Sequence, residues 1–273
     1  MSITSLNSTP QLSCLTLMQL YSRNLPQVQA TTAADPAVSR ETAYFLANIK
    51  NVKTSSDFVN NYQLFSYATQ AFGLSDLTYA KAYMQKIMDG GVQNSSSLAN
   101  QLTDPRFKAF AEAFDFGDLG ANATQNAANN TNTTKAFIEQ TLEDNVGQQN
   151  SGAQIALYFQ RQAPHITTAS QILGDKALFQ FVQTAFGVPT FSATTDSAIS
   201  DEVAIINSKV PIADLSDPAK VQNMVTRFSA LWDLQNTNAA ASSPALAVLT
   251  GGTSGGNSAS SLFQILGQNY GHY

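Results

Sequence analysis

The side chains best suited to catalysis or metal binding are few and widely separated in this sequence. The two histidines, His165 and His272, lie far apart, and neither has a second histidine one helical turn away. Cys14 is the single cysteine, so neither an intrachain disulfide nor a zinc site built on cysteines can form. These residues therefore predict no metal site and no histidine-based catalytic site.

The short motifs of common catalytic loops are also missing. The sequence contains no G-x-S-x-G elbow, and no lysine of a phosphate loop follows the glycine cluster 251–256. Asp104 and Asp217 each precede a proline and read as helix caps. We expect no enzyme, and no catalytic, cofactor-binding or metal-binding residues. A small-molecule enzyme would require a deep pocket with convergent polar groups, for instance near Arg161 and Arg227.

Composition limits the classes of partner. The chain has 273 residues, 43% of them hydrophobic, which is enough to bury a sizeable core. Only 12% are charged, against ~25% in ordinary soluble domains, and the net charge is −5. The 14 lysines and arginines form no basic stripe for phosphates or anionic lipids. No apolar run approaches the ~20 residues of a membrane span, so we expect neither nucleic-acid binding nor membrane insertion.

The amino terminus lacks the features of a cleaved secretion signal. Its first basic residue is Arg23, which follows the early apolar run instead of preceding it, and no small-residue cleavage site is present. The sequence therefore predicts either a cytoplasmic protein or one exported by a route that is independent of a signal peptide.

A repeated pattern organises the chain. Residues 52–74 are echoed by residues 166–188, and all matched residues share the same offset of 114 positions (158 − 44). The matches are Tyr44-Phe45 with Tyr158-Phe159, Thr54 with Thr168, Leu64-Phe65 with Leu178-Phe179, and Ala71-Phe72-Gly73 with Ala185-Phe186-Gly187. The threonines suit helix caps and the glycines suit helix ends. We therefore predict an all-α fold in which two pseudo-repeated helical units pack as an irregular bundle with flexible termini.

Composition and proline positions divide the chain into five predicted segments. They are an amino-terminal helix and linker (1–38), a first helical unit (39–117), an Asn/Ala/Thr-rich linker (118–133), a second helical unit (134–235), and a flexible tail with a short amphipathic end (236–273). The helix of the first segment is predicted over residues 8–24, followed by a linker from Pro26 to Pro36. Residues 134–163 are predicted to form one long helix, which Gly147 and Gly152 bend or break.

The two terminal segments carry apolar stripes that require a partner. We predict that the amino-terminal helix needs a partner to bury its stripe and pairs with neighbouring subunits, and that the tail either docks back on the core or binds another protein. The predicted partner-binding residues are Leu12, Leu15, Met18, Tyr21, Leu262, Phe263, Ile265 and Leu266.

Five motifs in order give the chain a resemblance to a known family. They occupy residues 61–74, 79–84, 102–107, 156–164 and 226–233, and together they span most of residues 42–233. They resemble the bacterial family known as domain of unknown function 1217. The resemblance implies an alphaproteobacterial protein often encoded among flagellar genes, and it implies no catalytic residues.

Two hypotheses follow from this resemblance. In the first, the protein is a non-enzymatic structural or assembly component of the bacterial flagellum. It would reach the flagellum by signal-peptide-independent export and bind rod, hook, filament or export proteins through its terminal helices, and a homo-oligomer is compatible with this role. The alternative is a cytoplasmic chaperone or regulator of flagellar export. No cofactor is expected in either case.

Overall fold

The computed structural model describes residues 12–190 and 196–236, and these residues form fourteen α-helices and five short 3₁₀ turns without a strand. The predicted all-α class is thereby confirmed. None of the described helices is long and apolar enough to cross a membrane. Most of the predicted tail, 236–273, lies outside the described residues, including Leu262, Phe263, Ile265 and Leu266.

The helices fall into two groups in chain order. The first eight are α1 (Cys14–Ala34), α2 (Pro36–Asn48), α3 (Ser55–Asn60), α4 (Tyr62–Ala71), α5 (Lys81–Asp89), α6 (Leu98–Gln101), α7 (Pro105–Ala113) and α8 (Phe116–Leu119). The remaining six are α9 (Ala127–Gly147), α10 (Ser151–Gln162), α11 (Ala169–Gly174), α12 (Lys176–Phe186), α13 (Asp196–Lys209) and α14 (Pro218–Gln235).

The repeated stretch forms two short helices in each copy instead of the single predicted helix. Thr54 and Thr168 cap α3 and α11 through their hydroxyls, and Thr168 forms a capping box with Gln171. Asn61 and Asp175 then leave the helical conformation and cap α4 and α12 with their own side chains. An Asx side chain competes for backbone N–H groups, which is why the helix restarts at this position.

The repeat also includes the amino-terminal helix. α1 and α9 each have 21 residues, and each precedes a shorter helix of equivalent position, α2 or α10. α1 is therefore the counterpart of α9 in the repeat. The predicted linker from Pro26 to Pro36 is wrong. Pro26 lies inside α1, where the chain only kinks at Asn24, and the break comes at Asp35.

The predicted linker 118–133 is ordered and partly buried. Thr124 is fully buried and its hydroxyl donates to the Val52 carbonyl at 3.0 Å. Asn126 caps α9, which begins at Ala127. Later threonines of this stretch, such as Thr131, donate to the carbonyl four residues earlier. Asn and Thr serve here as caps and local donors, so the polar composition was mistaken for flexibility.

The predicted long helix 134–163 is two helices. α9 starts earlier than expected and ends at Gly147, and Asn150 caps α10. A Cβ on Gly152 would collide with the Trp232 ring, so this glycine allows α10 and α14 to approach closely.

Two hydrophobic cores lie side by side, and α9 belongs to both. The first core is built by α2–α8 together with Phe137 of α9. The second core is built by α10–α14, Leu142 and Val146 of α9, and Cys14, Leu17 and Met18 of α1. The boundary between the cores thus runs through α9, and the first helix of the first copy is part of the second core.

The glycine that ends α12 provides a simple stability test. Gly187 is left-handed, with φ of 65°, and no atom lies near a Cβ built on it. We expect Gly187→Ala to lower the free energy of unfolding by about 1 kcal/mol through backbone strain alone. Urea denaturation measures this loss, and Gly187→Asn should restore part of it because Asn tolerates the left-handed region. Equal stability of all three proteins would contradict this explanation.

Candidate functional site

The predicted partner-binding residues of α1 divide between its two faces. Met18 is 1% exposed and belongs to the second core, and Tyr21 packs against that core, so both are engaged within the chain. Leu12 is 47% exposed directly before α1, and Leu15 is half-buried. Leu20, which was not among the predicted residues, is 52% exposed on the outer half of α1. Leu20 on α1 and Leu12 before it therefore remain exposed, and Leu15 is partly accessible.

The amino-terminal end of α1 is held by a buried carboxylate on α14. Asp233 is fully buried, and its two oxygens accept from the backbone N–H groups of Cys14 at 2.7 Å and Leu15 at 2.9 Å. These first-turn donors have no partner inside their own helix, and an anion at a helix start is favourable. Asn150 adds a bond from its amide to the Leu12 carbonyl at 3.2 Å. The start of α1 is thus tied to α14 and to the cap of α10.

A polar junction joins the two cores on another side. Arg106 forms a bidentate pair with Asp104 and donates to the Gly73 carbonyl at 2.6 Å, and its Nε lies 3.6 Å from Asp175 Oδ2. Asp175 is 1% exposed, caps α12 and accepts a hydrogen bond from the Tyr158 hydroxyl. Burial, reinforced by Asp175, raises the pKa of Tyr158 well above its ordinary value, so the phenol remains a donor.

A cleft of about 350 Å³ opens between α1, α9, α10 and α14. Its apolar lining comes from Leu25, Leu142, Leu157, Leu215 and Val221, and its polar lining includes Gln29, Glu139, Glu143, Gln160, Arg161 and His165.

The main charges of the cleft neutralise each other. Arg161 binds both oxygens of Glu143, at 2.6 and 2.8 Å, and also donates to Gln140 at 2.9 Å. Burial raises the pKa of Glu143, and the guanidinium partly offsets this effect. Because both carboxylate oxygens are occupied, the pair acts as a tie between α9 and α10. Gln29 of α1 donates to Glu139 at 3.2 Å and forms one wall of the cleft.

The structure does not bring Arg161 and Arg227 together in this cleft. Arg161 lines it, whereas Arg227 is absent from the lining and its guanidinium lies 5.8 Å from the centre of the Phe186 ring. His165 is exposed at the edge of the cleft. Among the described residues, no group of three or more His, Cys, Asp or Glu side chains is placed to hold a metal ion.

The described residues thus form an all-helical protein in which one helical pattern occurs twice, at an offset of 114 residues. Residues 71–221, more than half of the chain, match the family described as protein of unknown function DUF1217, and the chain belongs to this family. A crystal structure of a protein from Agrobacterium tumefaciens, a structural genomics target, is similar with 35% sequence identity and a TM-score of 0.75. That similarity covers 84% of this chain and 99% of the Agrobacterium chain. No curated protein matches significantly.

The two anchoring aspartates were missed by sequence reasoning. Asp233 ends one of the five family motifs, but nothing in the sequence indicates that it caps a helix more than 200 residues away. Asp175 had a detectable signal, because it stands at the repeat position of Asn61 and both are good capping residues.

Proposed function

We propose that this protein is a non-enzymatic interaction protein that acts as a structural or assembly component of the bacterial flagellum. The flagellar part of the proposal rests on the resemblance described above, whose members are often encoded among flagellar genes. The interaction part rests on Leu12 and Leu15, two of the predicted partner-binding residues that are not enclosed in the core, together with the exposed Leu20.

The observation that carries the proposal is the set of leucines left exposed on α1. Single exposed leucines are common on protein surfaces. Here Leu12 and Leu20 are both about half exposed along one short stretch, with Leu15 half-buried between them. The opposite side of the same helix is fixed in the second core by Leu17 and Met18. While α1 is docked on the second core, Leu12 and Leu20 can be buried against an apolar surface of a partner.

A charge on this surface should block association without unfolding the chain. We expect Leu20→Glu to reduce binding to flagellar rod, hook, filament or export proteins at least about tenfold, because a carboxylate would be buried in an apolar interface. The measurement is a pull-down in which the captured proteins are identified by mass spectrometry. The melting temperature should stay near that of the original protein, since exposed substitutions have small effects.

Leu46→Glu is the matched control. Leu46 is 46% exposed on α2, so the change in charge and surface is the same at a site outside the proposed interface. If the two variants bind flagellar proteins equally well, α1 is not the binding surface. Cell fractionation tests the flagellar assignment separately: we expect the protein in sheared filaments or basal bodies, and a purely cytosolic protein would favour the chaperone alternative.

A further inference from the structure

The two equivalent helices of the repeat are held differently. α9 is connected to ordered structure at both ends, by the buried Thr124 before it and by α10 after it. α1 is joined through Asp35 to α2 at its carboxyl end, and its amino-terminal end is held by non-covalent contacts, the hydrogen bonds from Cys14 and Leu15 to Asp233. Yet α1 completes the second core, which is formed by residues 142–228 and belongs to the other copy of the repeat. A helix that completes the core of the other copy and is linked to its own copy by one residue has an arrangement from which helix exchange between chains can arise.

The contacts that hold α1 are made with the second copy. Its apolar side contributes Cys14, Leu17 and Met18 to the second core. Its polar contacts reach Asp233 and Gln222 on α14, Glu139 on α9 and Asn150 at the cap of α10. All of these partners are present in every copy of the chain, so α1 of another molecule can make the same contacts.

The connection between α1 and α2 is a single residue with the properties of a hinge. Asp35 has φ of −56° and ψ of 132°, and its carboxylate caps α2 through Ala37 and Val38. Pro36 disfavours the helical conformation at the residue before it, so α1 and α2 cannot merge into one rod. Moving α1 away requires rotation about the backbone bonds of Asp35 and loss of the hydrogen bond from its N–H to the Thr32 carbonyl, while both helices remain intact.

We propose that α1 exchanges between copies of this protein, docking on the second core of a second molecule in place of that molecule's own α1. The proposal goes beyond the proposed function, because it concerns the inner side of α1 and a second copy of the chain, whereas the proposed function concerns the outer side of α1 and flagellar proteins. Exchange requires no new docking surface, because the contacts of α1 with α9, α10 and α14 are reproduced between chains. If one molecule gives its α1 to a second molecule without receiving one in return, an undocked α1 and an open second core remain at the two ends of the dimer. Further molecules can add there and form longer assemblies.

An open α1 is unfavourable by itself, which makes the exchange dependent on concentration. Opening exposes Cys14, Leu17 and Met18, each at most 1% exposed in the closed chain, and removes both backbone donors from the buried Asp233. The opened helix therefore recloses on the nearest free second core. At low concentration that core is its own, and at high local concentration it belongs to a neighbour.

A single substitution can report which chain supplies α1. The Cys14 thiol is hydrogen-bonded to Ser229 of α14, and burial raises the pKa of this thiol to about 12, so external reagents reach it slowly while α1 is docked, whereas a cysteine at position 229 lies beside it. In Ser229→Cys, oxidation after incubation at high concentration should give disulfides between chains, seen as covalent dimers and larger species on non-reducing gels. Samples oxidised when dilute should give monomers with an internal disulfide. The original protein, with one cysteine, cannot form the internal disulfide and serves as the control.

The locked monomer supplies the decisive comparison. We expect dilute-oxidised Ser229→Cys to remain monomeric on concentration in size-exclusion chromatography, and to assemble after reduction. The proposal is overturned if the oxidised and reduced proteins assemble equally, if all disulfides in the assemblies are internal, or if the reduced protein stays monomeric at every concentration. These outcomes concern the purified protein and are independent of binding to flagellar fractions.

A second pair of sites serves if Ser229→Cys does not fold. The Ser22 hydroxyl donates to Gln222 at 3.3 Å on the surface, between α1 and α14. In Ser22→Cys/Gln222→Cys, a short bismaleimide should link chains to each other in concentrated samples and link the two helices of one chain in dilute samples. Cross-links that remain within one chain at all concentrations would also overturn the proposal.

Discussion

Asp175→Ala is expected to lower the free energy of unfolding by about 3–5 kcal/mol, one of the two largest effects that we predict for a single substitution. The carboxylate performs three tasks at a position that is 1% exposed. It caps α12 through the N–H groups of Ala177 and Leu178, accepts from Tyr158, and faces Arg106 of the other copy. Its removal costs a helix cap, leaves a buried phenol without its acceptor, and weakens the junction between the cores.

Urea denaturation followed by circular dichroism measures this loss of stability. The matched control is Asp35→Ala, which removes a cap with the same two-bond pattern at the exposed start of α2. The control should lose much less stability, because water can replace the carboxylate at an exposed helix start. Equal losses in the two variants would show that the junction adds nothing to the cap.

Asp233→Ala is expected to increase the rate at which Cys14 reacts with a thiol reagent by about 100-fold or more. Asp233 holds the first turn of α1 through two charge-assisted hydrogen bonds in a fully buried position. Losing them should favour opening by about 3 kcal/mol, and each 1.4 kcal/mol corresponds to a factor of ten. Reaction with Ellman's reagent under native conditions measures the rate, since Cys14 is the sole cysteine.

Asp217→Ala is the control for this experiment. Asp217 lies at the start of the same helix, α14, and also accepts from two backbone N–H groups, those of Ala219 and Lys220. Its bonds are local, so its loss should destabilise α14 slightly without releasing α1, and the labelling rate should change by less than about fivefold. A comparable acceleration in both variants would mean that Cys14 reacts through general unfolding.

The features that could be predicted from the sequence are those encoded by local patterns. The 114-residue offset predicted the two copies, and Thr54 and Thr168 do cap the expected helices. Gly73 and Gly187 are left-handed, as helix-ending glycines should be. Each of these capping and helix-ending signals depends only on residues a few positions away, so the local sequence is enough to predict it.

What could not be predicted depends on contacts between distant segments. The linker assignment of 118–133 failed because the burial of Thr124 depends on the Val52 carbonyl, 72 residues earlier. The sequence predicted α1 as a helix separate from both units. This prediction failed because the core that covers its apolar side begins more than 100 residues later in the chain. Met18 was assigned to a partner for the same reason: an amphipathic pattern shows that a helix face is covered but does not identify what covers it.

Amide hydrogen exchange on the purified, dilute protein tests the central claim most directly. The claim is that α1, although it is the repeat counterpart of α9, can leave the second core while the rest of both cores stays folded. We predict that amides of α1 between Leu17 and Leu25 exchange at least about 100 times faster than those of α9 between Phe137 and Val146, under conditions where both cores stay protected. Equal protection of α1 and α9 would show that α1 opens only with global unfolding, and would contradict the account.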